Sequence, residues 1–136
     1  MEEKAEIREV SEREVWVEEE RLCLGEDNIF YVTSDGAVDE KMAIKIKEIT
    51  LKFMRMAEGK MHLLIDLNKA GKQSLEARKT WDELSEHEKC GKVALFGLHP
   101  VARVIASFAM GISKKKDMRF FKTKEDALAW LKEEVR

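Results

Sequence analysis

The chain carries three histidines, His62, His87 and His99, and two cysteines, Cys23 and Cys90, the side chains from which soft metal sites and thiolate nucleophiles are built. His87 and Cys90 stand three residues apart, a spacing that lets two ligands share one helical face, but no second pair completes a tetrahedral set. Cys90 would act as a nucleophile only beside an activating imidazole, and the local sequence supplies none at a fixed spacing. His62 lies inside an apolar run and reads as a packed or edge histidine. Asp66 sits near the end of that run, where open sheets place catalytic carboxylates; an Asp there also satisfies the backbone of a turn. The phosphate-binding GxxxxGK[ST], the dinucleotide GxGxxG and the GxSxG elbow are all missing, so no cofactor and no metal is implied. An enzyme around Asp66, His99 or Cys90 ranks behind the binding roles developed below.

Composition narrows the class. With 136 residues, the chain has the length of one domain, taken as residues 1–136 with 1–12 frayed or a short edge element. Lys and Arg (25) against Asp and Glu (27) give 25 − 27 = −2, which lacks the basic surplus of generic nucleic-acid binding. Of the basic cluster Lys114, Lys115, Lys116, Arg119, Lys122 and Lys124, the first three follow an expected helix, where cations complement the helix dipole; a phosphate or anionic-lipid contact is the alternative. Two cysteines make no disulfide scaffold and MEEKAEIREV is too acidic for a signal peptide, so a cytoplasmic address is expected. The apolar tract 93–112 has the length of a membrane span, but Gly97 and Pro100 cut it and Arg103 sits near its middle, so no integral membrane protein is expected.

The elements that position these residues follow from hydrophobic period and punctuation. Val15, Trp16 and Val17, then Leu22, Cys23 and Leu24, then residues 29–32 form three β-prone runs, read as an antiparallel meander, with a helix over the Glu-rich tract 12–20 as the alternative. Asp35 and Gly36 are expected to break the third strand. Asp39 is the expected N-cap of a helix ending near Gly59, whose stripe is Met42, Ile46, Ile49, Phe53 and Met56; Ile44, Leu51 and Met54 lie off it. MHLLIDL and KVALFG are continuous apolar runs of strand length. The first leads through an expected loop, NKAGKQ, to a helix starting at Ser74 with Ala77, Trp81 and Leu84 on one face. The second leads through Leu98 and His99 to a helix opened by Pro100 over 100–113. A short strand, 118–121, precedes a last helix capped by Thr123 with Asp126, with Ala127, Leu128, Leu131 and Val135 facing inward. Strands without polar alternation, joined by helices, need cover on both faces. The fold class is therefore α/β: a mixed, mostly parallel sheet flanked by about four helices, with an antiparallel N-terminal meander.

In such a sheet, ligands bind outside the carboxyl ends of the strands, where helices point their amide-rich starts. The expected rim is 35–38, 68–73 and 98–99. It offers Lys69, Lys72, the Ser74 hydroxyl, Leu98 and the His99 imidazole to an anionic group or an acidic partner surface. The helix 100–113 is apolar on nearly every side, interrupted chiefly by Arg103 and Ser107, so its flank, with Phe108, suits a homodimer contact or an apolar ligand.

The order of elements and the segments HLLIDLNKAGKQS, KVALFG and RFFKTKEDALAWLKEE resemble the STAS and SEC14-like group of small domains, specifically the SpoIIAA-like proteins, over residues 14–135. The resemblance implies a mixed sheet flanked by helices and one of two non-catalytic roles. In anti-sigma-factor antagonists a Ser or Thr at the start of the helix after the central strand is phosphorylated, switching protein binding. In SEC14-like relatives an apolar cavity holds a lipid. Here the segment after IDL has neither the Asp-Ser-Ser nor the Asp-Ser-Thr pattern of the antagonists. Ser74 is the one hydroxyl near that place, as a phosphorylation site or simply an N-cap. The expectation is a regulatory binding module acting through a protein partner or homodimer, with a small-lipid or acyl-ligand carrier as the alternative.

Overall fold

The computed structural model of the chain describes residues 5–97 and 117–133. They form seven strands and three helices: β1 (Ile7–Ser11), β2 (Glu14–Val17), β3 (Glu20–Leu24), β4 (Ile29–Val38), α1 (Glu40–Met56), β5 (Met61–Gln73), α2 (Leu75–Ser85), β6 (Cys90–Phe96), β7 (Met118–Phe121) and α3 (Lys124–Leu131). All seven strands lie in one sheet in chain order. Strands β1 to β4 are antiparallel neighbours, and β4 to β7 run parallel. The mixed sheet with an antiparallel N-terminal meander is therefore the observed architecture.

The antiparallel half follows the alternation of its sequence. Val15 and Val17 of β2 and Leu22 and Leu24 of β3 are buried on one face, while Trp16 and Cys23 are half-exposed on the other. In the turn between β3 and β4, Asn28 takes a left-handed backbone (φ 66), which Asn tolerates better than most residues. Its side chain donates to the carbonyls of Glu58 and Lys60 and accepts from the Glu58 N–H, so it pins this turn to the loop after α1.

On one face, Leu22, Phe30, Val32, Leu63, Ile65, Val93 and Leu95 pack with Met42, Ile46 and Phe53 of α1 and Ala77 and Leu84 of α2. Both crossovers step the same way across the sheet, and right-handed connections then put both helices on that face. On the other, Ile29, Leu64, Ala94 and Phe96 pack with Ala127 and Leu131 of α3. Each described helix starts at the cap its sequence announces: Asp39 accepts from the Met42 N–H, Ser74 from Ala77, and Thr123 from Asp126.

Several expectations need correction. The Glu-rich tract 12–20 holds the strand 14–17 between turns at 12–13 and 18–19, so the meander stands and its helical alternative falls; residues 7–11 are the short edge element, fully exposed. Met56 is 41% exposed, whereas off-stripe Met54 is 1% exposed, so the core stripe of α1 is rotated toward Ala43, Thr50 and Met54. Asp35 and Gly36 do not end β4, and residues 68–73 are not a loop. Both strands continue together, with Asp35 opposite Lys69, Gly36 opposite Ala70 and Val38 opposite Gln73. Polar residues with two glycines read as a loop because, apart from Val38 at its far end, nothing apolar is buried there. Backbone pairing between the two segments sustains the ribbon instead. The expected helix over 100–113, its start at Leu98 and His99, the lysines 114–116, and Val135 lie outside the described residues.

Candidate functional site

The ribbon begins at a joint. Thr33 pairs with Asp66 and Asp35 with Lys69, so β4 advances two residues while β5 advances three. The extra residue on β5 is absorbed by Asp66, whose Oδ1 accepts from the backbone N–H of Asn68 at 2.9 Å and from its side-chain amide at 2.8 Å. This is an Asx turn built into a strand, and it gives Asp66 a structural task. The Asn68 amide occupies the space where a Cβ on Gly97 would stand, 2.7 Å away, and Gly97 itself has φ +94.

Beyond the joint the two strands approach closely, since a Cβ on Gly71 would lie 2.7 Å from the Gly36 carbonyl carbon and 2.8 Å from the Ala37 nitrogen. Glycine is the residue that fits. The ribbon then delivers the chain to two helix starts. Ser74 donates its backbone N–H to the Val38 carbonyl at 2.9 Å and accepts the Ala77 N–H on its Oγ at 3.0 Å. Asp39, next to Val38, accepts from the Met42 N–H at 2.9 Å. The amide-rich ends of α1 and α2 therefore lie side by side.

Of the expected site residues, Lys69 and Lys72 lie on the ribbon and Ser74 caps the helix it leads to. Both lysines are exposed and Ser74 is half-buried. Leu98, His99, Arg103 and Phe108 lie outside the described residues. Leu75, the first residue of α2, is 53% exposed and adds an apolar tip that sequence reasoning missed, because a helix-starting leucine is usually counted with the core.

The other candidates are accounted for locally. His62 is half-buried and its Nδ1 accepts from the Lys92 N–H at 2.8 Å, with Gly91 leaving room for the ring. His87 sits in the turn after α2, where its Nδ1 accepts from the Lys89 N–H. Cys90 begins β6, buried. Among the described residues no group of three or more metal-ligating side chains converges, and no helix is long and apolar enough to cross a membrane.

Sequence reasoning also missed Glu20. It occupies the inward phase of β3 with Leu22 and Leu24, is 1% exposed, and its Oε1 accepts from the Ser34 hydroxyl at 2.8 Å. Burial is the main cause that pushes its carboxyl up to about 7, and the nearby Asp35 charge adds to it. The signal was the alternation Glu20, Leu22, Leu24, hidden within the acidic run 18–20. Beside it lies an open hollow of about 380 Å³ lined by Ala5, Glu18, Glu19, Asp35, Gly36, Ala37, Asp39, Lys41 and Met42. On the opposite face Tyr31 donates to Asp27 at 2.6 Å, and burial and that carboxylate push its phenol up to about 12. Lys92 and Arg119 both stack on the Trp130 ring.

The family model described as Domain of unknown function (DUF7793) matches residues 24–135. The chain belongs to the DUF7793 family. No curated protein matches it. An uncharacterized protein of the DUF3478 family with a SpoIIAA-like fold, from Shewanella loihica PV-4, is similar with a TM-score of 0.61 and 17% identity, covering 96% of this chain and 98% of that one. The anti-sigma factor antagonist SpoIIAA in its unphosphorylated form is similar with a TM-score of 0.59 and 13% identity, covering 82% of this chain and 96% of that one. These likenesses are of fold: the DUF7793 chain has a SpoIIAA-like, STAS-type fold.

Proposed function

We propose that this DUF7793 protein is a single-domain, non-enzymatic regulatory module that binds a protein partner, a second copy of itself included, through the rim made by the β4–β5 ribbon and the start of α2. The observation that carries this reading is Ser74, which ties the ends of two strands to two adjacent helix starts beside exposed Lys69, Lys72 and Leu75. An exposed leucine at a helix start, with two exposed lysines on the ribbon that leads to it and free helix amides beside it, suits a protein surface with one apolar anchor point and acidic groups near it. SpoIIAA, which is similar in fold, is an anti-sigma factor antagonist, which agrees with a role in protein contact. A phosphoryl group on Ser74 would bring a dianion to the α2 amides and Lys72, where it is electrostatically favoured, and would change the surface a partner meets.

The hollow near α1 is lined by four carboxylate residues, a poor environment for an acyl chain, so this hollow does not favour the carrier reading. Native mass spectrometry of the gently purified full chain separates the two. Bare monomer, dimer or a protein complex agrees with the module, and a retained acyl ligand contradicts it.

A further inference from the structure

At one side the sheet ends in β1, whose outer edge is paired with no other strand among the described residues. Its backbone has a definite phase. The Glu18 N–H donates to the Glu6 carbonyl at 2.8 Å, and the Glu6 N–H donates to the Glu18 carboxylate at 2.7 Å. The register runs on with Ile7 opposite Val17, Arg8 opposite Trp16 and Glu9 opposite Val15. Hydrogen-bonded and non-hydrogen-bonded pairs alternate along an antiparallel ladder, so Arg8 also turns its N–H and C=O toward β2, whereas Ile7 and Glu9 turn theirs outward. Such open groups are a template for another strand. The template is short, because the register slips between Glu9 and Ser11 and the edge bends there. Residues 5–9 are what remains.

The side chains select the occupant. Residues directly opposite in an antiparallel pair share a face, so Ile7, 39% exposed, lies on the face of fully buried Val17, and Arg8 lies on the other face, over the Trp16 ring at 5.0 Å. In a two-fold pair of β1 strands the axis passes through the sheet and keeps its faces, so each residue meets one an even number of places away. Of the centres from Glu6 to Glu9, those on Glu6, Arg8 and Glu9 set like charges directly against each other, which is destabilising. The centre on Ile7 does not. There Ile7 meets Ile7 of the second copy, Glu6 meets Arg8 twice, and Ala5 meets Glu9. The outward N–H and C=O of Ile7 make that central pair a hydrogen-bonded one, and the paired isoleucines extend the apolar row that Val17 begins. We propose that β1 is a homodimer edge, on which two copies pair antiparallel about Ile7 and join their sheets into one. This surface is distinct from the rim and does not depend on it. The axis reverses the strands of the second copy, so the two rims of the dimer point in opposite directions.

Sedimentation equilibrium of the full chain under reducing conditions tests the edge without any other partner. A contact of so few residues is small, so the dimer is expected to be weak, with Kd on the order of 1 µM to 1 mM, and the measurement covers that range. Glu6 and Arg8 are both exposed, so their charges can be reversed without entering the core. Arg8→Glu sets glutamate against Glu6 at both ends of the contact, and Glu6→Arg sets arginine against Arg8. Each alone should weaken the dimer by about tenfold or more. Mixed in equal amounts, the two variants regain opposite charges at both ends and should pair with each other at about the natural Kd. The mixture also shows that both variants are folded. A natural chain that stays monomeric throughout overturns the proposal. So does a dimer that neither single variant weakens, which would seat the second copy elsewhere, the rim included, and so does a mixture that fails to restore pairing.

Discussion

Gly71 of β5 passes so close to Gly36 of β4 that no side-chain carbon fits between them; a Cβ on Gly71 would meet the Gly36 carbonyl carbon at 2.7 Å. Two strands are thereby held together beyond the end of the buried sheet, and the starts of α1 and α2 are held with them. Gly71→Ala should therefore cost about 1–3 kcal/mol, the usual range for forcing atoms into a packed site. Urea denaturation measures the loss. A neutral Gly71→Ala would mean that the ribbon can part without consequence.

The carboxyl of Glu20 gives stability a pH dependence of opposite sign to that of a salt-bridged acid. Its folded value of about 7 lies above the ordinary 4.5, so between these values the folded chain binds a proton that the unfolded chain has lost. Stability from this group is complete below about pH 4.5, falls as pH rises through 7, and then levels off. The total is on the order of 3 kcal/mol. Denaturation at pH 5, 6.5 and 8.5 should trace the fall, and Glu20→Gln should flatten it and exceed the natural chain in stability at pH 8.5.

Asp66 clamps Asn68 through one oxygen, which an amide can imitate. Asp66→Asn should keep stability within about 0.5 kcal/mol, whereas Asp66→Ala should lose about 1 kcal/mol, the net worth of such a bond. A carboxylate needed for chemistry would not tolerate the amide, so partner binding preserved in Asp66→Asn but weakened in Asp66→Ala would mark a structural residue.

Ser74 combines a cap with a surface position, and the two can be separated. Ser74→Ala should cost about 1 kcal/mol through the lost bond to Ala77, while Ser74→Asp keeps an acceptor at the cap and stays near natural stability. Binding at the rim should nevertheless change in Ser74→Asp, because a negative charge is added beside Lys72. Thermal unfolding reads the first effect and affinity for the captured partner the second.

Much of this could be read from the chain itself. The alternation of Leu22 and Leu24, the continuous runs in β5 and β6, and the caps Asp39, Ser74 and Thr123 are local signals, and local signals carry into the fold when burial agrees with them. Residues 68–73 were not legible as a strand. Their extended state is sustained by pairing with 35–38, a partner about 35 residues away, and polar residues there bury nothing that a periodicity would register. Glu20 was hidden for the opposite reason, since a glutamate among glutamates gives no sign that its phase points inward. Of the rim, Lys69, Lys72 and Ser74 were legible as neighbours of a helix start; the exposed Leu75 was not, because its environment is set by where α2 meets the ribbon.

A photo-crosslinking amino acid placed at Lys72, with Lys60 before the opposite end of β5 as the control position, tests most directly whether the rim is a protein-binding surface. Illumination in the host cell should join the Lys72 protein to one defined partner chain or to a second copy, leave the Lys60 protein unjoined, and give a changed yield when Ser74→Glu is added. Absence of any protein adduct at Lys72, or equal adducts at both positions, would contradict a protein-binding rim.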